Sequence, residues 1–193
     1  MLPLPTLMQQ CAPTVAPTTV GAIVRVESGG NALAIHDNTA RRSYAPRSPA
    51  RAQALLDALL RQHHSVDAGL MQINSVNFPR FGLTSASVFD PCTNLRVGAE
   101  ILQQAWGHAV QAGLHGQQAL FHAVEAYNSG NLRGAPGYAS AVFGAAGRRV
   151  DLRLPAAQRV ASAHATHVRH DAARPTQWAL NWAPANVTWG DQP

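Results

Sequence analysis

The sequence contains no lysine, only two cysteines, only three glutamates and no apolar run long enough to span a bilayer. Each shortage narrows the field. All 15 basic residues are arginines, set against 10 acids for a formal charge of +5, with nine of the arginines before residue 147 and six after it. Nowhere do they form the run that tracks a phosphate backbone, so nucleic acid is not the expected partner. A membrane helix needs roughly 20 consecutive apolar residues. None is found, so no membrane span is expected. Residues 1–10 are partly apolar but lack a charged n-region and a full-length h-region, so a signal peptide is read as absent or already removed. Cys11 and Cys92 form one long-range disulfide in an oxidising compartment or stay as buried thiols in a reducing one, and two cysteines alone do not choose.

What is present supports a helical globule. Hydrophobic residues make up 46% of the 193, enough to fill the core of one domain of ordinary size with an appendage. Ala, Leu and Gln dominate the middle of the chain, and no internal repeat is visible. The expected fold class is mainly α.

One acid stands out. In the run from Thr19 to Asn31, Val20, Ile23 and Val24 recur at the i, i+3, i+4 spacing of a buried helical stripe, with Thr18 or Thr19 as its cap. The next position on that stripe is Glu27. Gly29 and Gly30 follow, which places Glu27 in the last helical turn. There the carbonyl end of the helix and the apolar face both oppose a negative charge, so the carboxyl is expected to hold its proton toward neutral pH. A proton kept there suits an acid that protonates a leaving oxygen. The plainer alternative is a rim glutamate that only caps or salt-bridges.

Taken in order, residues 1–17 carry four prolines and read as an irregular lead-in, and Asn31–Pro49 reads as a long polar surface loop. Ser48-Pro49 caps an amphipathic helix with Leu55, Leu56, Leu59, Leu60 and His63 in line. The short apolar run Asp67–Asn74 is compatible with a strand or ribbon crossing the core. A long helix begins near Asp90, with Asn94 as its cap and Leu95, Gly98, Ile101, Leu102, Trp106 and Ala109 inward. A further helix covers residues 117–127 on a stripe of Leu120, Ala123, Val124 and Tyr127. A last one spans residues 137–147 through Tyr138, Val142 and Phe143. The domain is drawn at residues 1–147, and the Ala-, Arg- and Pro-rich stretch 148–193 is expected to be a disordered tail.

Three motifs stand in a fixed order: Glu27-Ser-Gly-Gly-Asn31, Gly69-Leu-Met-Gln-Ile-Asn74 and Ala126-Tyr-Asn-Ser-Gly130. Together they resemble the lysozyme-like catalytic domain of the soluble lytic transglycosylases, a group related to goose-type lysozyme, over roughly residues 11–147. The first two motifs lie farther apart than in the family's commonest form. With Cys11 and the Asp90–Asn94 segment, that insertion resembles the branch accompanying type IV secretion systems.

The resemblance implies a lysozyme-like α+β fold and Glu27 as the catalytic acid. It also implies substrate contacts from the ribbon residues Gly69, Leu70, Met71 and Gln72, from Ser28, and from Tyr127 and Asn128 beside the acid. Ser28 and Gln72 would bond the sugar or hold Glu27, and Tyr127 would lay its ring and hydroxyl near the developing charge. Their bland readings are a cap, a strand-edge amide and a core tyrosine, while Met71 and Ile73 read as packing. The implied partner is the glycan of peptidoglycan in the periplasm, where a Cys11–Cys92 disulfide is expected. No cofactor and no metal are implied.

The acids fit this. Hydrolysing glycosidases normally flank the bond with two carboxylates. Here Glu100 falls on a polar helix face, Glu125 lies off its helix's stripe, and Asp37 and Asp67 are loop residues, Asp67 reading as a turn cap. One convincing acid without a second suits a transglycosylase. Glu27 would protonate the oxygen leaving N-acetylmuramic acid, then take the proton from that sugar's own C6 hydroxyl to leave a 1,6-anhydro end. The alternatives are a hydrolytic muramidase on the same scaffold and a non-catalytic glycan-binding adaptor of the secretion apparatus. His164, His167, His170 and Asp171 have a metal-like spacing without a scaffold, His63-His64 suits a helix C-terminus, and Trp178, Trp182 and Trp189 would anchor a partner such as a secretion component.

Overall fold

The computed structural model describes residues 3–148 and Arg153. Among the described residues, seven α-helices and a small antiparallel sheet make the lysozyme-like α+β arrangement expected of the sequence. The helices are α1 (Leu4–Cys11), α2 (Pro17–Glu27), α3 (Pro49–Arg61), α4 (Phe78–Phe81), α5 (Pro91–Gln111), α6 (Gly116–Ser129) and α7 (Pro136–Ala145). The strands are β1 (Ile35–Asp37), β2 (Arg42–Tyr44), β3 (Val66–Ala68) and β4 (Ile73–Asn74), ordered β2-β1-β3-β4.

Two segments read as irregular are structured, for physical reasons. The lead-in is helical because Pro3 and Pro5 sit at its N-terminal boundary, where an amide proton has no intrahelical partner to lose. Leu4, Met8 and Cys11 then face the core. Pro17 likewise occupies the first position of α2 behind Ala16, so neither Thr18 nor Thr19 is the cap, and Thr19 is buried inside the helix.

The polar stretch 31–49 holds β1 and β2, with His36 opposite Ser43. Its tight turn is made by Asp37, which is buried. Its Oδ1 accepts the backbone N–H of Thr39 and of Ala40, both at 3.0 Å, while Oδ2 meets His64 Nδ1 at 2.8 Å. Burial pushes the Asp37 carboxyl up, but the Ala40 amide and His64, helped by the Thr39 amide, outweigh it and hold the group below its ordinary value. This acid closes a hairpin and is spent there.

α3 starts as expected, with the Ser48 hydroxyl accepting from Arg51 N at 3.3 Å. Leu56 and Leu59 are buried, whereas His63 lies past the helix end, exposed and at φ +60°. α5 is capped by Asp90, whose Oδ1 accepts from Thr93 N at 2.8 Å, rather than by Asn94.

Asn94 is instead a buried polar clasp. Its Oδ1 accepts Met71 N at 2.7 Å, and its Nδ2 donates to Ala68 O at 3.0 Å and Val88 O at 2.9 Å. The clasp ties the β3–β4 ribbon to α5. Gly69 lies against it at φ +86°, where a side chain would overlap the Asn94 amide. Gly98 on α5 makes room for Met71 in the same way.

The core runs between these layers. α6 packs along α5, α7 bridges α6 and α2, and α1 lies on α2 and α5. The Cys11–Cys92 disulfide joins the end of α1 to the first turn of α5 across 81 residues. Closing a loop of that length stabilises the fold by about 4 to 5 kcal/mol in the chain-entropy account. Among the described residues no helix is long and apolar enough to cross a membrane. Past the boundary drawn at residue 147, the described residues include only Arg148 and Arg153, and the rest of the expected tail lies outside them. Arg153 bridges to Asn31 through Arg153 N to Gly30 O, 2.7 Å, and Ala32 N to Arg153 O, 3.3 Å.

Candidate active site

Glu27 is the last residue of α2, and the chain leaves through Ser28 into Gly29 and Gly30 at φ +59° and +84°. The buried stripe Val20, Ile23, Val24 sets Glu27 at the edge of the core, where it is half-buried. Burial pushes the Glu27 carboxyl from its ordinary 4.5 up to about 7. A hydrogen bond from the Tyr138 hydroxyl to Glu27 Oε1 pulls the other way, and the charge of Asp67 adds to the rise. The acid therefore carries its proton over a range in which an exposed glutamate has lost it.

Tyr138 sits in the first turn of α7. Burial, then the charge of Glu27, drives its own hydroxyl proton far above the ordinary range, so at any working pH it is a neutral donor. The loop that delivers it is braced by Glu125, which is buried. Glu125 Oε2 accepts Ala135 N at 3.1 Å and Oε1 meets His122 Nδ1 at 3.2 Å, and that nitrogen also lies 2.7 Å from Leu132 O. Glu125 thus holds the α6–α7 connection. Glu100 is half-exposed and 3.7 Å from Arg96.

The other motif residues form the frame. Ser28 Oγ lies 2.8 Å from Leu70 O and 3.2 Å from Val24 O, which ties the end of α2 to the ribbon. Leu70, Met71 and Ile73 are buried, so these side chains pack into the core, as the reading of Met71 and Ile73 as packing expects. Gln72 takes φ +47°, and its Nε2 donates to Gly69 O at 2.8 Å and Ala34 O at 3.1 Å. The Tyr127 hydroxyl donates to Met71 O at 2.6 Å, with its proton held well above the ordinary range by burial and by the charges of Glu27 and Asp67. Ser28 and Tyr127 therefore pin the ribbon from opposite sides. Asn128 is exposed at the end of α6.

Asp67 is a β3 residue rather than the turn cap expected, with Asn38 Nδ2 2.8 Å from Oδ2 and Asn74 Nδ2 2.7 Å from Oδ1. Burial raises its carboxyl, while those two amides and His36 oppose the rise.

Sequence reasoning therefore missed Tyr138, Asp67 and Asn94. A usable signal existed for the first. An acid on an apolar face needs a polar partner, and of the chain's three tyrosines two, Tyr127 and Tyr138, fall on expected helices. Among the described residues no three His, Cys, Asp or Glu side chains gather as a metal site. His164, His167, His170, Asp171 and the three tail tryptophans lie outside the described residues.

The site is thus a helix-terminal glutamate whose carboxyl is raised by burial and bonded to Tyr138, beside a small antiparallel sheet tied to the same helix end through Ser28. The chain belongs to the transglycosylase SLT domain family, whose model matches residues 5–136. It is 41% identical over 124 residues to Protein virB1 of Agrobacterium fabrum, covering 64% of this chain and 50% of that one. It is 40% identical over 136 residues to the type IV secretion system protein virB1 of Brucella suis, covering 69% and 57%. To Protein virB1 of Rhizobium radiobacter it is 41% identical over 142 residues, covering 72% and 58%. The chain spans little more than half the length of these curated relatives. No solved structure matches it significantly.

Proposed function

We propose that the protein cleaves the β-1,4 bond after N-acetylmuramic acid in peptidoglycan by intramolecular transglycosylation. The observation that carries this is the placement of Glu27 at the end of α2, bonded by the Tyr138 hydroxyl, with its carboxyl pushed by burial up to about 7. Glu27 gives that proton to the leaving oxygen as the C1–O bond breaks. Now a carboxylate, it takes the proton of the sugar's own C6 hydroxyl as that oxygen closes on C1. The acid is regenerated, no water is consumed, and the product ends in a 1,6-anhydro ring.

Tyr138 serves both halves of the cycle. Its hydroxyl donates to Oε1, so it orients the carboxyl and stabilises the anion between the two transfers. In this reading the pinned ribbon forms one wall of the glycan site, and Asn128, exposed at the end of α6, contacts the sugar.

The names of the relatives, one of them a type IV secretion system protein, support a role in opening the cell wall for such an apparatus. The disulfide fits an oxidising compartment such as the periplasm. A contact between the C-terminal stretch and secretion components is part of the same proposal.

Hydrolysis on the same scaffold is the second reading, favoured by one observation, the carboxylate of Asp67 on the sheet wall. Mass spectrometry of purified cell wall after digestion tests the proposal. Anhydro ends are expected, and they are expected to vanish with Glu27→Gln. Reducing ends in their place would remove the transglycosylase reading, and undiminished cleavage by the Gln variant would remove the acid.

A further inference from the structure

Among the described residues two carboxyls are buried, those of Asp37 and Glu125. Asp37 closes its hairpin, while Glu125 takes no part in the proton transfers drawn for Glu27. A buried carboxyl persists where its oxygens are satisfied, and both oxygens of Glu125 lead to one short stretch of chain. Oε2 accepts Ala135 N at 3.1 Å, and Oε1 lies 3.2 Å from His122 Nδ1. The same nitrogen is 2.7 Å from Leu132 O, a carbonyl that can only accept, so Nδ1 carries an imidazole proton. One carboxyl and one imidazole thereby fasten the α6–α7 connection at Leu132 and at Ala135.

Where they fasten it decides the course of α7. Asn131, Arg133 and Gly134 are exposed, so apolar burial fixes little of the connection. Ala135 is the N-cap of α7 but supplies no side-chain cap, and Pro136 follows at the first helical position with its φ preset. Glu125 takes the place of the missing cap, from another helix and at the end where the helix dipole favours negative charge. Ala135 O accepts Ala139 N at 3.1 Å, so both backbone groups of Ala135 are held. Three residues on, within the same first turn, Tyr138 gives its hydroxyl to Glu27 Oε1. Glu125 thus sets where α7 begins, and the start of α7 sets where that hydroxyl points.

We propose that the Glu125–His122 pair is a positioning device for the acid: by fixing the start of α7 it holds the Tyr138 hydroxyl on Glu27 Oε1 in the geometry that the proton transfers need. This rests on Glu27 as the acid. Glu125 forms no bond with the sugar and moves no proton; it acts through Tyr138. The sign of its effect follows from that route. Donation by Tyr138 favours the ionised form of Glu27, so loosening it raises the pH at which Glu27 gives up its proton. A negative charge at residue 125 acting through space on Glu27 would do the reverse, and its removal would lower that pH. The titratable groups in play are His122 beside Glu125, and Tyr138 of α7, Tyr127 of α6 and Asp67 of β3 about Glu27.

The test is a double-mutant cycle on the full chain, Glu125→Gln against Tyr138→Phe, with kcat, KM and the pH profile measured on solubilised glycan strands and the Glu27 carboxyl titrated by NMR. Glutamine keeps one oxygen but brings an N–H to face either Ala135 N or His122 Nδ1, so one of the two contacts is lost whichever way it turns. Glu125→Gln is expected to lower kcat by ~10-fold, short of the ~10²-fold that a displaced reacting group can cost, with KM moved less. Its alkaline edge and the Glu27 midpoint should both rise. In the Tyr138→Phe background the same change should move neither any further, which a loss of stability alone would not produce. His122→Ala, at a partly exposed position, should shift both the same way by a smaller amount, and it decides the matter should Glu125→Gln not fold. A midpoint that falls or stays put in a folded Glu125→Gln or His122→Ala protein, or a Glu125→Gln shift of full size without the Tyr138 hydroxyl, would overturn the proposal. Activity surviving in Glu27→Gln, run alongside, would instead overturn the reading beneath it.

Discussion

Replacing Glu27 with glutamine should stabilise the fold, increasingly so as pH rises. The folded-state carboxyl titrates near 7 against 4.5 for an ordinary glutamate. Between those values the native chain holds a proton that the unfolded chain has released, so stability falls as pH climbs. Below about pH 4.5 both states are protonated and the group contributes no pH dependence; above about 7 both are ionised and the loss is complete. At about 1.36 kcal/mol for each pH unit separating the two titrations, the loss comes to about 3 kcal/mol by pH 8. Glutamine keeps an oxygen for Tyr138 and never ionises. Asp67, raised, and Asp37, lowered, also tilt the curve, but they are present in both proteins and cancel from the difference. Urea unfolding at pH 4, 5, 6, 7 and 8 with the disulfide intact reads the effect directly. The variant's advantage should grow through the pH 4.5–7 window and then level off. Parallel curves for the two proteins would refute the buried-acid argument, whatever their activities.

Two more outcomes follow from the same contacts. Tyr138→Phe removes a donor that favours the ionised carboxylate, so the alkaline edge of the activity profile should move upward by about one pH unit or less; a downward move would show that the hydroxyl acts otherwise. Asn94→Ala leaves the Met71 amide and two carbonyls buried without their partner, at a cost of about 2 to 4 kcal/mol seen as a lower urea midpoint. Because the clasp holds the ribbon, amides near Gly69–Gln72 should also exchange hydrogen faster in that variant, and unchanged protection there would contradict the assignment.

The site was legible in part. Glu27 was visible because helical periodicity is local: Val20, Ile23 and Val24 mark a buried face, and an acid on it is conspicuous. The α3 cap and the α5 and α6 faces were readable for the same reason. Tyr138 was not, since its bond to Glu27 joins residues 111 apart and depends on how α7 packs against α2. Asp67 looked like a turn residue because its role comes from pairing with His36 and Asn74 on other strands. β1 and β2 are three residues each, too short for alternation to show above a polar background. The prolines of the lead-in misled through being counted rather than placed, since at a helix's first positions proline is compatible with the helix.

The most direct measurement is the titration of the Glu27 carboxyl carbon by NMR in protein labelled at glutamate. The chain has only three glutamates, so the Glu27→Gln spectrum identifies the signal by its disappearance. A midpoint near 7 is predicted. A midpoint near 4.5, that of a glutamate in open water, would contradict the account at its root.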